Sequence, residues 1–271
     1  MYKEKKAAVF QNGNVLLFNG RLPAPEEART LPLSDSGSCE NLGPAGSMWG
    51  RVENCELPPG WTAVNRRDIG KLFGLEAFRF MSTCWGLADW HHQAQYCGVC
   101  GTKMVRAQGE RAMKCPKCGH MLFPVICPAM IVAVERDGKL LLAKNIQHRT
   151  NRFSVLAGFI EVGESIEDAV VREVREEVNI EVDRASIRYQ YSQYWPFPRS
   201  LMLACRAQWK SGELQPDGSE IIEAHWFAPE EIPLEVPGTV TVAGWLIRDF
   251  LKRHGLPRPD DLPGRPEPRG I

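Results

Sequence analysis

The stretch "LAGFIEVGESIEDAVVREVREEVNI", Leu156 to Ile180, decides the reading of this chain. Its second half is periodic: Val170, Val171, Val174 and Val178 recur at the spacing of one helix face. At about 100° per residue, Glu173, Glu176 and Glu177 fall within about a 100° arc beside that stripe. The stripe packs inward and holds the carboxylates at its margin. Glutamates four residues apart repel by roughly 0.2–0.5 kcal/mol. An acidic helix face is most often simply solvated, here with Arg172 and Arg175 offsetting the charge. The residues before the helix change that reading. Gly158 and Gly163 bracket a short loop that must bend tightly and expose backbone carbonyls. Glu164 then leads into the helix. Clustered carboxylates with a backbone carbonyl form a hard oxygen site, suited to Mg²⁺ or Mn²⁺. Such ions typically bridge phosphate oxygens.

Upstream lies a compact cysteine module. Cys97-x2-Cys100 and Cys115-x2-Cys118 are separated by fourteen residues. Two such knuckles suit four thiolates around one tetrahedral Zn²⁺. Gly101 and Gly119 follow the second cysteine of each pair and help the backbone turn. With four protein ligands and no open position, the zinc is structural, one per chain. Cys39, Cys55, Cys84, Cys127 and Cys205 read as unpaired thiols. A zinc ribbon also binds nucleic acid in other settings, so it leaves function open.

Around these two segments the chain organises as follows. Residues 7–20 read as a hairpin turning at Asn12-Gly13, and 128–145 as a second turning at Asp137-Gly138. Residues 21–60, rich in Pro, Gly and Ser, read as loop with little regular structure. A helix runs through "STCWGLADWHHQ". Strands are expected at "FSVLAGF", "IRYQYSQYW", "SLMLACRAQW" and "EAHWFAP". A last helix is expected from Thr239, ended by Gly255. The boundaries drawn are 1–92 for an N-terminal α+β domain, 93–124 for the ribbon and 125–255 for the domain carrying the acidic helix. A five-proline tail, 256–271, reads as disordered.

The 271 residues allow two domains and a sizeable core. Lys plus Arg and Asp plus Glu number 33 each, which argues against a protein that coats a polyanion but not against a small phosphate-bearing substrate. The start, "MYKEKKAAVFQNGN", lacks a signal-peptide apolar run, and no stretch approaches the length of a membrane span. The expected location is the cytoplasm.

Gly158, Glu164, Arg172-Glu173-Val174, Glu176-Glu177 and Ile180 stand at the spacing of the Nudix hydrolase signature, which this segment resembles. Asn179 replaces the family's glycine, and is expected to end the helix in the left-handed conformation at a small stability cost. The resemblance implies an α+β fold, a mixed β-sheet sandwiched between α-helices. It implies metal-dependent hydrolysis of a nucleoside diphosphate linked to another group. It makes Glu173 and Glu177 the principal Mg²⁺ or Mn²⁺ ligands, with Glu176, the Ala157 carbonyl and Glu220 (Glu223 being the nearby alternative). Arg172 orients the carboxylates.

"SQYWPFPRS", Ser192 to Ser200, is similar to the Ser-Gln-Pro-Trp-Pro-Phe-Pro-x-Ser loop of the NADH pyrophosphatase branch, with Tyr194 in place of a proline. Prolines stiffen such a loop and remove amide donors. The resemblance implies cleavage of NADH or NAD⁺ to nicotinamide mononucleotide and AMP, with NAD-capped RNA as a further substrate, by a homodimer. It assigns substrate contacts to Glu110, Phe123, Phe159, Gln193, Tyr194, Trp195, Pro196, Phe197, Pro198, Arg199, Ser200 and Thr241. Phe123 and Phe159 are the expected faces of a nicotinamide sandwich. Two readings compete: a Nudix enzyme for ADP-ribose or a dinucleoside polyphosphate, and a non-catalytic zinc-ribbon protein that senses a nucleotide. The Trp-Pro-Phe-Pro loop argues against the first, and the intact glutamate set against the second.

Overall fold

The computed structural model describes residues 4–39, 45–146 and 152–256. The expected disordered tail, past Leu256, lies outside them. The chain divides into two compact units, one of residues 1–126 with Pro196–Arg199, the other of residues 127–195 and 200–271.

In the first unit, β1 (Ala7–Gln11) and β2 (Asn14–Phe18) form the expected hairpin, with Asn12 and Gly13 both at positive φ. A short helix α1 (Pro25–Ala28) follows, then β3 (Leu33–Ser38), β4 (Met48–Val52), β5 (Trp61–Asn65) and α2 (Ile69–Gln93). The expectation of loop across 21–60 is therefore corrected. β3 and β4 are strands of a five-stranded sheet ordered β3-β4-β1-β2-β5. The β3 sequence, Leu-Ser-Asp-Ser-Gly-Ser, carries little strand propensity, and that of β4, Met-Trp-Gly-Arg-Val, is interrupted by a glycine, so pairing decides both. β4 lies parallel to β1, and β3 is an edge strand whose strand partner is β4. α2 starts earlier than expected and changes direction at Gly74, whose φ of 81° interrupts the helix. The ribbon adds β6 (Val105–Arg106), β7 (Met113–Lys114) and β8 (Met121–Leu122) as a small antiparallel sheet.

The second unit contains β9 (Cys127–Arg136), β10 (Lys139–Asn145), β11 (Leu156–Phe159), α3 (Ile166–Val178), β12 (Glu181–Trp195), β13 (Ser200–Ser211), β14 (Ile221–Phe227) and α4 (Val242–Arg253). Its sheet runs β12-β13-β9-β10-β14, with β11 paired to β9. β9 and β13 are parallel, so the sheet is mixed. Side chains alternate along β9. Met130, Val132 and Val134 pack in a core with Val170, Val174 and Val178 of α3. The adjacent Glu135 points the other way and takes Arg253 of α4 in an ion pair. The helices thus cover opposite faces, the layering expected from the sequence. α4 begins at Val242, not Thr239, because the Thr241 hydroxyl caps it by accepting from Gly244 N at 3.1 Å.

The two sheets share one plan. In each, a hairpin strand sits at the centre, parallel to a later strand on one side, which pairs antiparallel with the strand preceding it. On the other side its hairpin partner pairs antiparallel with the last strand. Only the four-residue α1 stands in the first unit where the second has β11 and α3.

Candidate active site

Local sequence builds the acidic helix. Ser165 caps α3 by accepting from Asp168 N at 3.1 Å, and the Asp168 carboxylate accepts from Ser165 N at 3.0 Å. At the other end Asn179 adopts φ 58°, ψ 32°, the left-handed cap expected of it. Gly163 bends the approach with φ 93°. Gly158 serves differently from the sequence expectation. It lies in β11, and a Cβ there would fall on the Glu173 carboxylate. Its value is space, which lets that carboxylate lie against the strand next to Ala157.

Arg172 organises the cluster. Its Nε and Nη2 grip Glu164 at 2.6 and 2.9 Å, and Nη1 reaches Glu173 at 2.9 Å and Glu176 at 3.0 Å. Nη2 also donates to the Phe159 carbonyl at 2.9 Å, tying the helix to the end of β11. The Arg172 hydrogen bonds hold Glu164 down to a pKa of about 2.

Glu177 receives none of this help. It is 5 % exposed, and its Oε2 is buried with no hydrogen-bond partner. Burial, then the charges of Glu173, Glu220, Asp217 and Glu176, push its pKa up to about 8. Burial also raises Glu173. Without a cation, the repulsion among these groups is relieved by Arg172 and by a proton on Glu177. A buried, unpartnered carboxylate facing further carboxylates is a donor set that fits a divalent cation. Glu176 is an exposed member of the set, as is Glu220. Glu223 is instead taken by Lys144 at 2.6 Å and His225 at 2.9 Å. Asp217 was not anticipated from the sequence. Its amide donates to the Glu177 carbonyl at 3.0 Å, and its carboxylate gathers the amides of Ser219, Glu220 and Ile221. The only sequence signal for it is an Asp-Gly-Ser turn ahead of Glu220.

In the ribbon, Cys97 Sγ lies 3.6 Å from Cys118 Sγ, and Cys100 Sγ lies 3.5 Å from Cys115 and 3.6 Å from Cys118. A tetrahedron with Zn–S bonds of about 2.3 Å has edges of about 3.8 Å. The four sulfurs thus stand nearly as Zn²⁺ requires, and among the described residues they alone form a cluster with all donor atoms within 4.8 Å of one another. The knuckles match: Gly101 N donates to the Cys97 carbonyl at 2.8 Å, and Gly119 N to that of Cys115 at 3.0 Å.

The remaining sequence-predicted residues fall in both units. Phe123, 51 % exposed, and Glu110, exposed, lie in the first unit, with Pro196–Arg199. Phe159, 45 % exposed, ends β11 of the second unit. Gln193 is buried and bridges backbone: its Nε2 donates to the Val240 carbonyl at 2.8 Å, and its Oε1 accepts from Val242 N at 2.7 Å. Tyr194 and Trp195 are half-buried at the end of β12, Ser200 is buried at the start of β13, and Thr241 is the α4 cap.

Residues 127–246 match the NUDIX domain family, and 92–123 match the NADH pyrophosphatase zinc ribbon domain. An NAD-capped RNA hydrolase NudC from Escherichia coli O1:K1 / APEC is 47% identical over 220 residues, covering 79% of this chain and 84% of that protein. The chain belongs to the Nudix hydrolase family. An NAD-capped RNA hydrolase NudC from Erwinia tasmaniensis is 40% identical to this Nudix hydrolase over 235 residues, covering 84% of the chain and 86% of its own length. A crystal structure of a NUDIX hydrolase from Nitrosomonas europaea superposes with a TM-score of 0.51 at 26% identity, over 60% of this chain and 94% of that one. The ribbon match places this Nudix hydrolase with the NADH pyrophosphatase branch.

Proposed function

We propose that this Nudix hydrolase cleaves the pyrophosphate bond of NADH and NAD⁺, giving nicotinamide mononucleotide and AMP, and removes NAD caps from RNA 5′ ends. The observation that carries the hydrolytic reading is Glu177: a carboxylate buried without a partner, beside Glu173 and in the field of Glu176 and Glu220. The relatives named as NAD-capped RNA hydrolases and the NADH pyrophosphatase ribbon support the choice of dinucleotide.

Glu173, Glu176, Glu177, Glu220 and the Ala157 carbonyl are the proposed holders of Mg²⁺ or Mn²⁺. Such ions, when bound, offset charge on phosphate oxygens as water attacks phosphorus. The protein's part is preorganisation. Arg172 fixes Glu164, Glu173 and Glu176, and Gly158 leaves the space in which Glu173 lies. Glu177 would hold a cation in its ionised form, so cation binding would release a proton from it below a pH of about 8. Phe123 and Phe159 are each about half exposed, and an exposed aromatic ring suits stacking on a flat base or nicotinamide. The proposal includes a cytoplasmic homodimer; no helix among the described residues is long and apolar enough to cross a membrane.

The test is parallel incubation with NADH, NAD⁺, ADP-ribose and NAD-capped RNA at several Mg²⁺ and Mn²⁺ concentrations. The proposal expects the highest kcat/KM on an NAD-containing substrate. A preference for ADP-ribose, or no turnover with either metal, overturns it. Light scattering decides the dimer.

A further inference from the structure

Pro196–Arg199 stand in sequence between β12 and β13 but cluster with the first unit. Contacts at Phe197 and at Arg199 hold them there. The guanidinium carbons of Arg66 and Arg67 lie 5.0 and 4.7 Å from the centre of the Phe197 ring. Arg66 also stacks on Trp85 at 4.1 Å and donates to the Gly13 carbonyl. Further along the loop, Arg199 Nη2 donates to Gln93 Oε1 at 3.0 Å, and Nη1 lies 3.9 Å from Asp89 Oδ2. Asp89 and Gln93 are one turn apart on α2 and bonded to each other at 3.0 Å.

The chemistry of these contacts is unusual in one respect. Arg66 forms no ion pair among the described residues, although Asp89 attracts it from a distance, and its Nε is buried without a hydrogen-bond partner. Burial, and then Arg67, lower its pKa. Its charge is met chiefly by two aromatic faces and one carbonyl. Cation–π attraction strengthens as the cation is desolvated. Arg199 sits at φ 138°, a backbone region that side chains other than glycine rarely adopt. Such a conformation persists where the surroundings over-determine it, and Gln93 and Asp89 hold its side chain. The first unit repeats the sheet plan of the second without a counterpart of α3, so the glutamate chemistry has no place in it.

We propose that Arg66, Arg67, Asp89 and Gln93 are positioning residues that hold Phe197 and Arg199, and so set the shape of the loop that selects the dinucleotide. The loop's role rests on the proposed function; its tethering does not. Arg67 is exposed, so its replacement leaves the fold intact. The variants are Arg67→Ala, Arg67→Lys, Phe197→Leu and the double variant Arg67→Ala/Phe197→Leu. The first readout is amide hydrogen exchange of a peptide spanning 194–200 in the free enzyme, where Phe197 and Arg199 carry the two exchangeable amides of Pro196–Arg199. The second is KM and kcat on NADH, with the thermal midpoint as control. Arg67→Ala is expected to speed loop exchange several-fold and raise KM several-fold, with kcat and midpoint little changed. Arg67→Lys restores most of both. In the Phe197→Leu background Arg67→Ala has no further effect. Unchanged exchange in Arg67→Ala, or effects of Arg67→Ala and Phe197→Leu that simply add, overturns the proposal. A wild-type enzyme that leaves NADH uncut would sink the proposed function, while the exchange measurement still decides the tether.

Discussion

The Glu173 carboxylate occupies the place where a side chain at Gly158 would begin. The strand and the helix are therefore matched at one point, where a residue without a Cβ meets the carboxylate of Glu173. Gly158→Ala must displace that carboxylate. We expect kcat to fall by roughly 10- to 100-fold, the size of effect seen when a metal ligand loses its support. The thermal midpoint should change little. Steady-state kinetics beside a melting curve checks this, and an active Gly158→Ala enzyme would show that Glu173 need not lie against β11.

Glu177 makes the metal-free protein pH-sensitive. Its folded pKa of about 8 exceeds the ordinary 4.5, so the folded state binds more protons than the unfolded state between those values. Stability of the cation-free enzyme therefore falls as pH rises from about 4.5 to about 8, by a few kcal/mol at most. Glu177→Gln should remove this dependence, stabilise the cation-free protein at pH 8 and abolish turnover. Denaturant unfolding of the zinc-loaded protein without Mg²⁺ or Mn²⁺ across that range reads the effect; identical pH profiles for the two proteins would contradict it.

Arg172→Lys keeps a positive charge but loses the fork that grips Glu164 while reaching Glu173, Glu176 and the Phe159 carbonyl. The expected result is a fall in kcat of about 10-fold or more and a higher Mn²⁺ concentration at half-maximal activity. Titration of activity with Mn²⁺ measures both.

The ribbon separates from the chemistry. Cys115 is fully buried among the four sulfurs, so Cys115→Ser or zinc chelation should lower the melting midpoint by several degrees before it affects the metal dependence of turnover. A zinc-free protein with an unaltered melting curve would refute the structural role.

Asn179 ends α3 in the left-handed region. Asn179→Gly should be neutral or stabilise by less than about 1 kcal/mol, and Asn179→Ala should destabilise by about 1 kcal/mol, because alanine lacks both the freedom of glycine and the local hydrogen bonding of asparagine. Neither should alter kcat.

What was legible in the sequence was local. α3 is written in its valine stripe and its Asn179 cap, and the structure adds the capping pair Ser165 and Asp168, all within fifteen residues. The hairpins announce themselves through Asn12-Gly13 and Asp137-Gly138, and the zinc site through two knuckles that fold on themselves. β3 and β4 were missed because their order comes from partners: β4 pairs with β1 some forty residues earlier, and nothing in Ser34–Ser38 favours a strand alone. Asp217 was missed for the same reason, since its place beside Glu177 follows from a backbone bond across the fold. Gly158 was noticed, but as a bend, because a lack of room across the strand cannot be seen from the glycine's neighbours in sequence.

The matching plan of the two sheets means that the same frame stands with β11 and α3 and without them. The acidic cluster thus belongs to an inserted strand-and-helix cassette present in one unit, and the frame itself is chemically neutral.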